Sequence, residues 1–246
     1  PQFTLRLYKN TPKDIKDLAY ECIASGATYP TLYNDEINIP AVEYAMNIDR
    51  KKAEQYVPFG CGEFVIQGKT PNTLLNLVKI MQLALNEGYD PMDHIYKAGP
   101  IKVKPLSEMK TFDDFYNQYK KLLDYYFDLS VEAQLHSYKV MNQEVSFLFT
   151  SILMDDCIHR EKSLLDGGVE ILGGTNETYG NINSSDALYA IKTLVYDQKK
   201  YTLEQLNQAA LHNYVGYEMI QKDILDLPKY GNDHKECDEM AIDLYE

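Results

Sequence analysis

The chain opens on an alternation. Phe3, Leu5 and Leu7 are apolar while Thr4 and Arg6 are polar, the period of a strand with one face covered. Thr11, Pro12 and Asp14 then read as an N-cap, a first helical position and an acidic first turn. Ile15, Leu18, Ala19, Cys22 and Ile23 recur at helical spacing until Gly26 ends the run. The opening is therefore a predicted strand–helix unit. Asn34-Asp35-Glu36 reads as a polar break. Pro40 is predicted to open a helix through Met46, and Asp49 to cap another through Tyr56. Thr70 and Pro71 predict the start of a strongly apolar helix from Asn72 to Asn86, closed by Gly88. Its stripe is Leu74, Leu77, Val78, Met81 and Leu85, widened by Leu75 and Leu83.

Pro91, Gly99, Pro100 and Pro105 mark residues 89–108 as a connector. Thr111 with Asp114 predicts the start of a long helix reaching Ser137. A second helical stretch spans Ser146 to Lys162, and a glycine-rich loop segment runs from Gly167 to Gly180. Further helices are predicted over Ser185–Tyr196, Thr202–Asn213 and Asp233–Tyr245. Strand and helix patterns interleave with helix dominant, so the fold class is α/β. No internal repeat, low-complexity linker or domain boundary stands out.

Charge narrows the partners. The formal net charge of -13 over 246 residues argues against nucleic acid and anionic membrane surfaces, which recruit basic patches. No apolar run approaches the roughly 20 residues of a membrane span. The four cysteines are far apart and form no CxxC pair, which suits a reducing cytoplasm. The start has neither a signal-peptide pattern nor an initiator Met, which predicts that the chain lies inside a longer sequence.

One stretch carries candidate chemistry: Val57-Pro58-Phe59-Gly60-Cys61-Gly62-Glu63-Phe64-Val65-Ile66. Pro58 and the two glycines mark a turn, and the apolar run after it reads as a strand. Glycines on both sides of Cys61 allow positive φ and close approach to another group. A thiol with a carboxylate two residues on offers hydrogen-atom transfer at sulfur and proton transfer at oxygen. The bland alternative is a small buried hydrophobe at Cys61 and a solvated Glu63. Local residues alone leave both open.

Longer stretches resemble the glycyl radical enzymes of the pyruvate formate-lyase type. "YPTLYNDEINIPAVEYAMNI" resembles the family stretch before its cysteine loop, and "PFGCGEFVIQGKT" the loop itself. "NLVKIMQLALNEG" is similar to the helix that follows, and "GGTNETYGNINSSDALYAIKTLVYDQKKYTLEQL" and "LPKYGND" to later segments. The resemblance implies part of a ten-stranded α/β barrel in which the cysteine loop and a glycine loop meet. It implies Cys61 as the thiyl radical position and Glu63 as the acid–base residue of the subgroup that eliminates or decarboxylates. It also implies a small-molecule substrate, a glycyl radical installed by a radical S-adenosylmethionine activating enzyme, anaerobic conditions and a homodimeric full-length protein.

Departures from the family pattern shape these expectations. Gly62 follows Cys61 where formate acetyltransferases carry a second cysteine, which disfavours that activity, kept here as the alternative beside a non-catalytic scaffold. The family's dehydratases often read Gly-Gly-Ala-Arg-Tyr-Asn-Phe-Thr-Gly. This chain reads Gly167-Gly168-Val169-Glu170-Ile171-Leu172-Gly173-Gly174-Thr175, which predicts a different substrate. Phe59, Ile171, Tyr179 and Asn183 are the candidate substrate-binding residues. The family's Arg-Val-x-Gly-Tyr loop and the N-terminal part of its barrel have no counterpart among the 246 residues. Residues 1–246 therefore read as a partial catalytic domain, expected to be inactive alone and to bind no cofactor itself.

Weaker signals have ordinary explanations. Asp155 and His159 share a helical face, but Cys157 points elsewhere, so no metal site is expected. No GxGxxG or Gly-Lys-Ser/Thr accompanies the glycines, which disfavours a phosphate loop. A cysteine-hydrolase role for Cys61 would need a histidine within reach, and the five histidines are dispersed.

Overall fold

The computed structural model describes residues 3–59, 63–66, 72–172 and 175–245. Helix dominates, and the strands among the described residues pair two by two. Contacts gather into two compact units. The first comprises residues 1–71 and 138–174, the second residues 72–137 and 175–246. Each unit is built from two separated stretches of chain, so neither edge is marked by a linker in the sequence.

The first unit begins with strand β1 (Thr4–Leu7), helix α1 (Lys13–Ala24) and strand β2 (Thr31–Asn34). β1 and β2 pair in parallel, Thr4 with Thr31 through Leu7 with Asn34. Helix α1 starts one residue later than expected, with Pro12 at its N-cap, while the Thr11 hydroxyl accepts from the Tyr8 amide at 2.9 Å. Its apolar spacing is as predicted, yet only Ala19 is buried, with Leu18 59% exposed. Helix α2 (Asp35–Met46) begins well before Pro40. The polar break is its cap: the Asn34 side chain accepts from the Glu36 amide at 3.1 Å, and Asp35 and Glu36 place negative charge in the first turn. Asp49 caps α3 (Arg50–Ala53), shorter than expected, through the Lys52 amide at 3.0 Å. Strands β3 (Val57–Phe59) and β4 (Glu63–Val65) form an antiparallel hairpin. Tyr33, Ile39, Val42, Ala53, Tyr56 and Ile66 make the buried cluster beside it, with Ile171 packed against them.

The second unit opens with strand β5 (Asn72–Asn76), where the sequence predicted helix. Leu74 is 60% exposed and Leu75 buried, the alternation of a strand. β5 pairs in parallel with β6 (Thr175–Tyr179), inside what read as loop, from Asn72–Thr175 to Asn76–Tyr179. Helix formation begins only where the Asn76 side chain caps α4 (Leu77–Leu85) through the Lys79 amide at 3.0 Å. Gly88, at φ +88°, donates back to the Leu83 carbonyl at 2.7 Å and ends the turn. The Asn207 amide donates to the Leu85 carbonyl at 3.0 Å, satisfying the end of α4.

Helix α5 (Phe112–Glu144) runs beyond the predicted Ser137, and its last turns belong to the first unit. Thr111 and Asp114 cap each other's amides at its start, at 3.1 and 2.9 Å. The predicted helix over 146–162 is broken. Ser146 and Phe147 take positive φ, and two short helices follow, α6 (Leu148–Ile152) and α7 (Asp155–Arg160). The remaining helices are α8 (Asn181–Ile191), continued by a π-helical turn over Lys192–Asp197, α9 (Leu203–Leu211), α10 (Glu218–Leu225) and α11 (Lys235–Tyr245). α10 is an element the sequence reading missed. The core of this unit joins Leu77, Ile80, Met81 and Leu83 with Phe115, Tyr119 and Leu122, and with Leu188, Ile191, Leu203 and Leu206. The Tyr119 hydroxyl donates to the Leu77 carbonyl at 3.0 Å, and burial pushes its phenol up to about 12. No helix among the described residues is long and apolar enough to cross a membrane.

Candidate active site

The two strands of the hairpin flank the Gly60–Glu63 motif in sequence. Val57 pairs with Val65, Pro58 with Phe64 and Phe59 with Glu63, and the chain between the last pair carries Cys61. Cys61 itself, with Gly60 and Gly62, lies outside the described residues, as do Gly173 and Gly174. Glu63 is half-buried, and Phe59 is 52% exposed.

Strands of three residues cannot hold a hairpin in water by themselves. Side chains from β1 and β2 supply the rest. The Tyr33 hydroxyl donates to the Glu63 carbonyl at 2.8 Å, with the Phe59 carbonyl at 3.4 Å. Tyr33 reaches there because it is the buried position of β2, its ring 6.5 Å from that of Tyr56. At the other end of β3, one Arg6 nitrogen donates to the Glu54 and Tyr56 carbonyls at 3.1 and 2.9 Å. The other two guanidinium nitrogens make a bidentate pair with Asp35, at 2.8 and 2.9 Å. The Arg6 guanidinium also lies 4.0 Å from the centre of the Tyr56 ring.

Asp35 is the hub of this network, because the Tyr56 hydroxyl also donates to it at 2.5 Å. Burial works against the Asp35 charge, but the bonds from Arg6 and Tyr56 outweigh it and hold the carboxyl below its ordinary value. Burial first, and then the bond to Asp35, push the Tyr56 phenol up. A carboxyl lowered on folding contributes stability above its unfolded value, ordinarily 3.8. That contribution disappears as pH falls through the lower, folded value. Wild-type chain should thus lose stability below about pH 4. Asp35→Asn should be less stable at pH 6 and show a flatter decline, as urea denaturation at stepped pH will measure.

Ile171 joins this neighbourhood by packing against the Tyr33–Tyr56 cluster. Its neighbour Glu170 pairs with Lys52 at 2.5 Å. Tyr179 and Asn183 lie in the second unit, Tyr179 at the end of β6 and Asn183 exposed on α8. A groove of about 1430 Å³ in that unit is lined by Leu77, Tyr116, Thr178, Asn181 and Ile182, and neither candidate lines it. Asp155 and His159 are exposed on α7, while Cys157 between them is buried. Among the described residues no cluster of three or more metal-binding side chains forms.

Sequence reasoning missed Arg6, Tyr33, Asp35 and Tyr56. Tyr33 and Asp35 sit inside the stretch whose resemblance was noted, which was the available signal. Arg6 read only as a polar strand position.

The chain as a whole matches a known group. The family model described as pyruvate formate lyase-like matches residues 1–246. The chain belongs to that family. This pyruvate formate lyase-like chain is 27% identical, over all its length, to a probable dehydratase of Escherichia coli strain K12. Among solved structures, it superimposes on the B12-independent glycerol dehydratase of Clostridium butyricum with a TM-score of 0.86 and 31% identity. It superimposes on hydroxyproline dehydratase of Clostridioides difficile with a TM-score of 0.89 and 28% identity. All of this chain is covered in each case, but only 31% of each of these relatives. The helix-rich α/β fold is thus that of a portion of a glycyl radical enzyme barrel, as the sequence led us to expect.

Proposed function

We propose that the protein carrying this chain is a glycyl radical dehydratase or lyase, with Cys61 as its hydrogen-atom abstractor and Glu63 as its acid–base residue. The observation that carries this reading is the hairpin with Glu63 paired to Phe59 directly across the Cys61 motif, in a chain matched to the family over residues 1–246. A glycyl radical stored outside these residues supplies the one-electron chemistry.

In this reading a hydrogen atom moves from a substrate C–H bond to the Cys61 sulfur, leaving a carbon radical. Glu63 donates a proton to the neighbouring group as its bond to carbon breaks, and takes one back from the heteroatom on the radical carbon. The thiol then returns its hydrogen atom to the product radical, so no oxidant is consumed. Gly62 in place of a second cysteine disfavours formate acetyltransferase chemistry, because acyl transfer needs another sulfur. Phe59 pairs with Glu63 in the hairpin and Ile171 packs against the Tyr33–Tyr56 cluster; Tyr179 and Asn183 are candidates on the motif match alone. The partners are a small-molecule substrate, a radical S-adenosylmethionine activating enzyme and a second copy of the full-length protein. The setting is an anaerobic cytoplasm.

Dehydration is the reading we favour, since the two solved structures compared above are named as dehydratases. Activation of the full-length protein under anaerobic conditions should give a glycyl radical doublet in electron paramagnetic resonance. Water loss should follow from a small polyol or from a hydroxylated amino acid. No doublet under conditions that activate a relative would refute the assignment.

A further inference from the structure

We propose that Tyr33 is a positioning residue for Glu63. The inference rests on the proposed acid–base role of Glu63 and deepens it. Tyr33 grips the main chain at Glu63. Its hydroxyl donates to the Glu63 carbonyl at 2.8 Å and lies 3.4 Å from the Phe59 carbonyl, so one phenol spans the two residues that pair across the hairpin. Tyr33 is 5% exposed, which keeps water from replacing that bond.

The grip has a firm base. β2 is paired along all four of its residues with β1. Two residues on from Tyr33, Asp35 is fixed by Arg6 and Tyr56. The hairpin offers little resistance of its own, with Val57 and Phe59 both more than half exposed. Loss of the hydroxyl therefore falls on the hairpin, while the ring keeps its place in the cluster of Ile39, Val42 and Tyr56.

Tyr33→Phe tests this, with Tyr56→Phe as a control that removes from the same cluster a hydroxyl that donates to Asp35. In the chain, amide hydrogen exchange over residues 57–59 and 63–65 should quicken about tenfold in Tyr33→Phe, the size expected for one buried bond lost. Exchange elsewhere, and in the hairpin of Tyr56→Phe, should change little. In the activated full-length protein, Tyr33→Phe should lower kcat about tenfold, with KM and the glycyl radical spin count per protomer unchanged. Unchanged hairpin exchange would overturn the proposal. So would exchange that quickens throughout the chain, or a local quickening with normal kcat. If wild-type full-length protein carries no radical, the proposed reaction falls instead, and exchange still decides whether Tyr33 holds the hairpin.

Discussion

Cys61→Ser in the full-length protein should accept the glycyl radical and turn over nothing. The argument is one of bond strength and geometry. The substitution keeps size and hydrogen-bonding capacity nearly intact, and residues 57–59 and 63–65 keep their pairing. A serine O–H bond is far stronger than a thiol S–H bond, so a stored carbon radical cannot draw hydrogen from it. Radical spin count should match wild type, and product formation should fall by at least about a thousandfold, the scale of losing an essential covalent or radical participant. Normal turnover would remove Cys61 from the mechanism. Loss of the radical together with turnover would point to a folding role.

The largest stability effect is expected at Phe115. Its side chain is fully buried on α5, in the cluster that also holds Tyr119 and Leu122 of the same helix and Leu77 of α4. Truncation removes the transfer energy of the ring and leaves a cavity that rigid neighbours only partly refill. Phe115→Ala should therefore cost about 3–5 kcal/mol. Leu74→Ala is the natural comparison, because Leu74 is 60% exposed on β5. It should change stability by less than about 0.5 kcal/mol. Guanidinium denaturation of the two variants reads both outcomes, and equal midpoints would contradict the burial described here.

These effects also show where sequence patterns carry information. The starts of α5 and α9 were legible because each is written within four residues. Thr111 with Asp114, and Thr202 with Gln205, cap reciprocally on local chemistry alone. The strand at 72–76 was not legible. Leu74 and Leu75 sit at the head of a long apolar run that continues into a real helix, and the partner that makes them strand is Glu177–Thr178, far along the chain. Pro40 misled for a related reason. A proline usually marks a helix start, but here the cap at Asn34 and the acidic first turn carry the helix past it. The break at Ser146 and Phe147 had no signal, since neither residue favours positive φ.

The candidate site divides in the same way. The motif Gly60–Glu63 could be read because it is contiguous and its residue types are chemical. Its supports could not, because Arg6 and Tyr33 act on carbonyl groups, and every residue has one. The two units were equally hidden. Each is assembled from stretches on either side of the other, so no composition change marks a boundary.

That preference for carbonyl groups has an evolutionary side. Arg6 and Tyr33 hold the hairpin and the turn before it through the carbonyl groups of residues 54, 56, 59 and 63. The exposed Val57 and Phe59 are therefore free to be exchanged while the backbone stays where it is. A lineage could change what the hairpin offers to a substrate by single substitutions, without rebuilding the frame beneath it. A designer seeking a new substrate for this scaffold would do well to randomise Val57 and Phe59 and leave Arg6, Tyr33 and Glu63 alone.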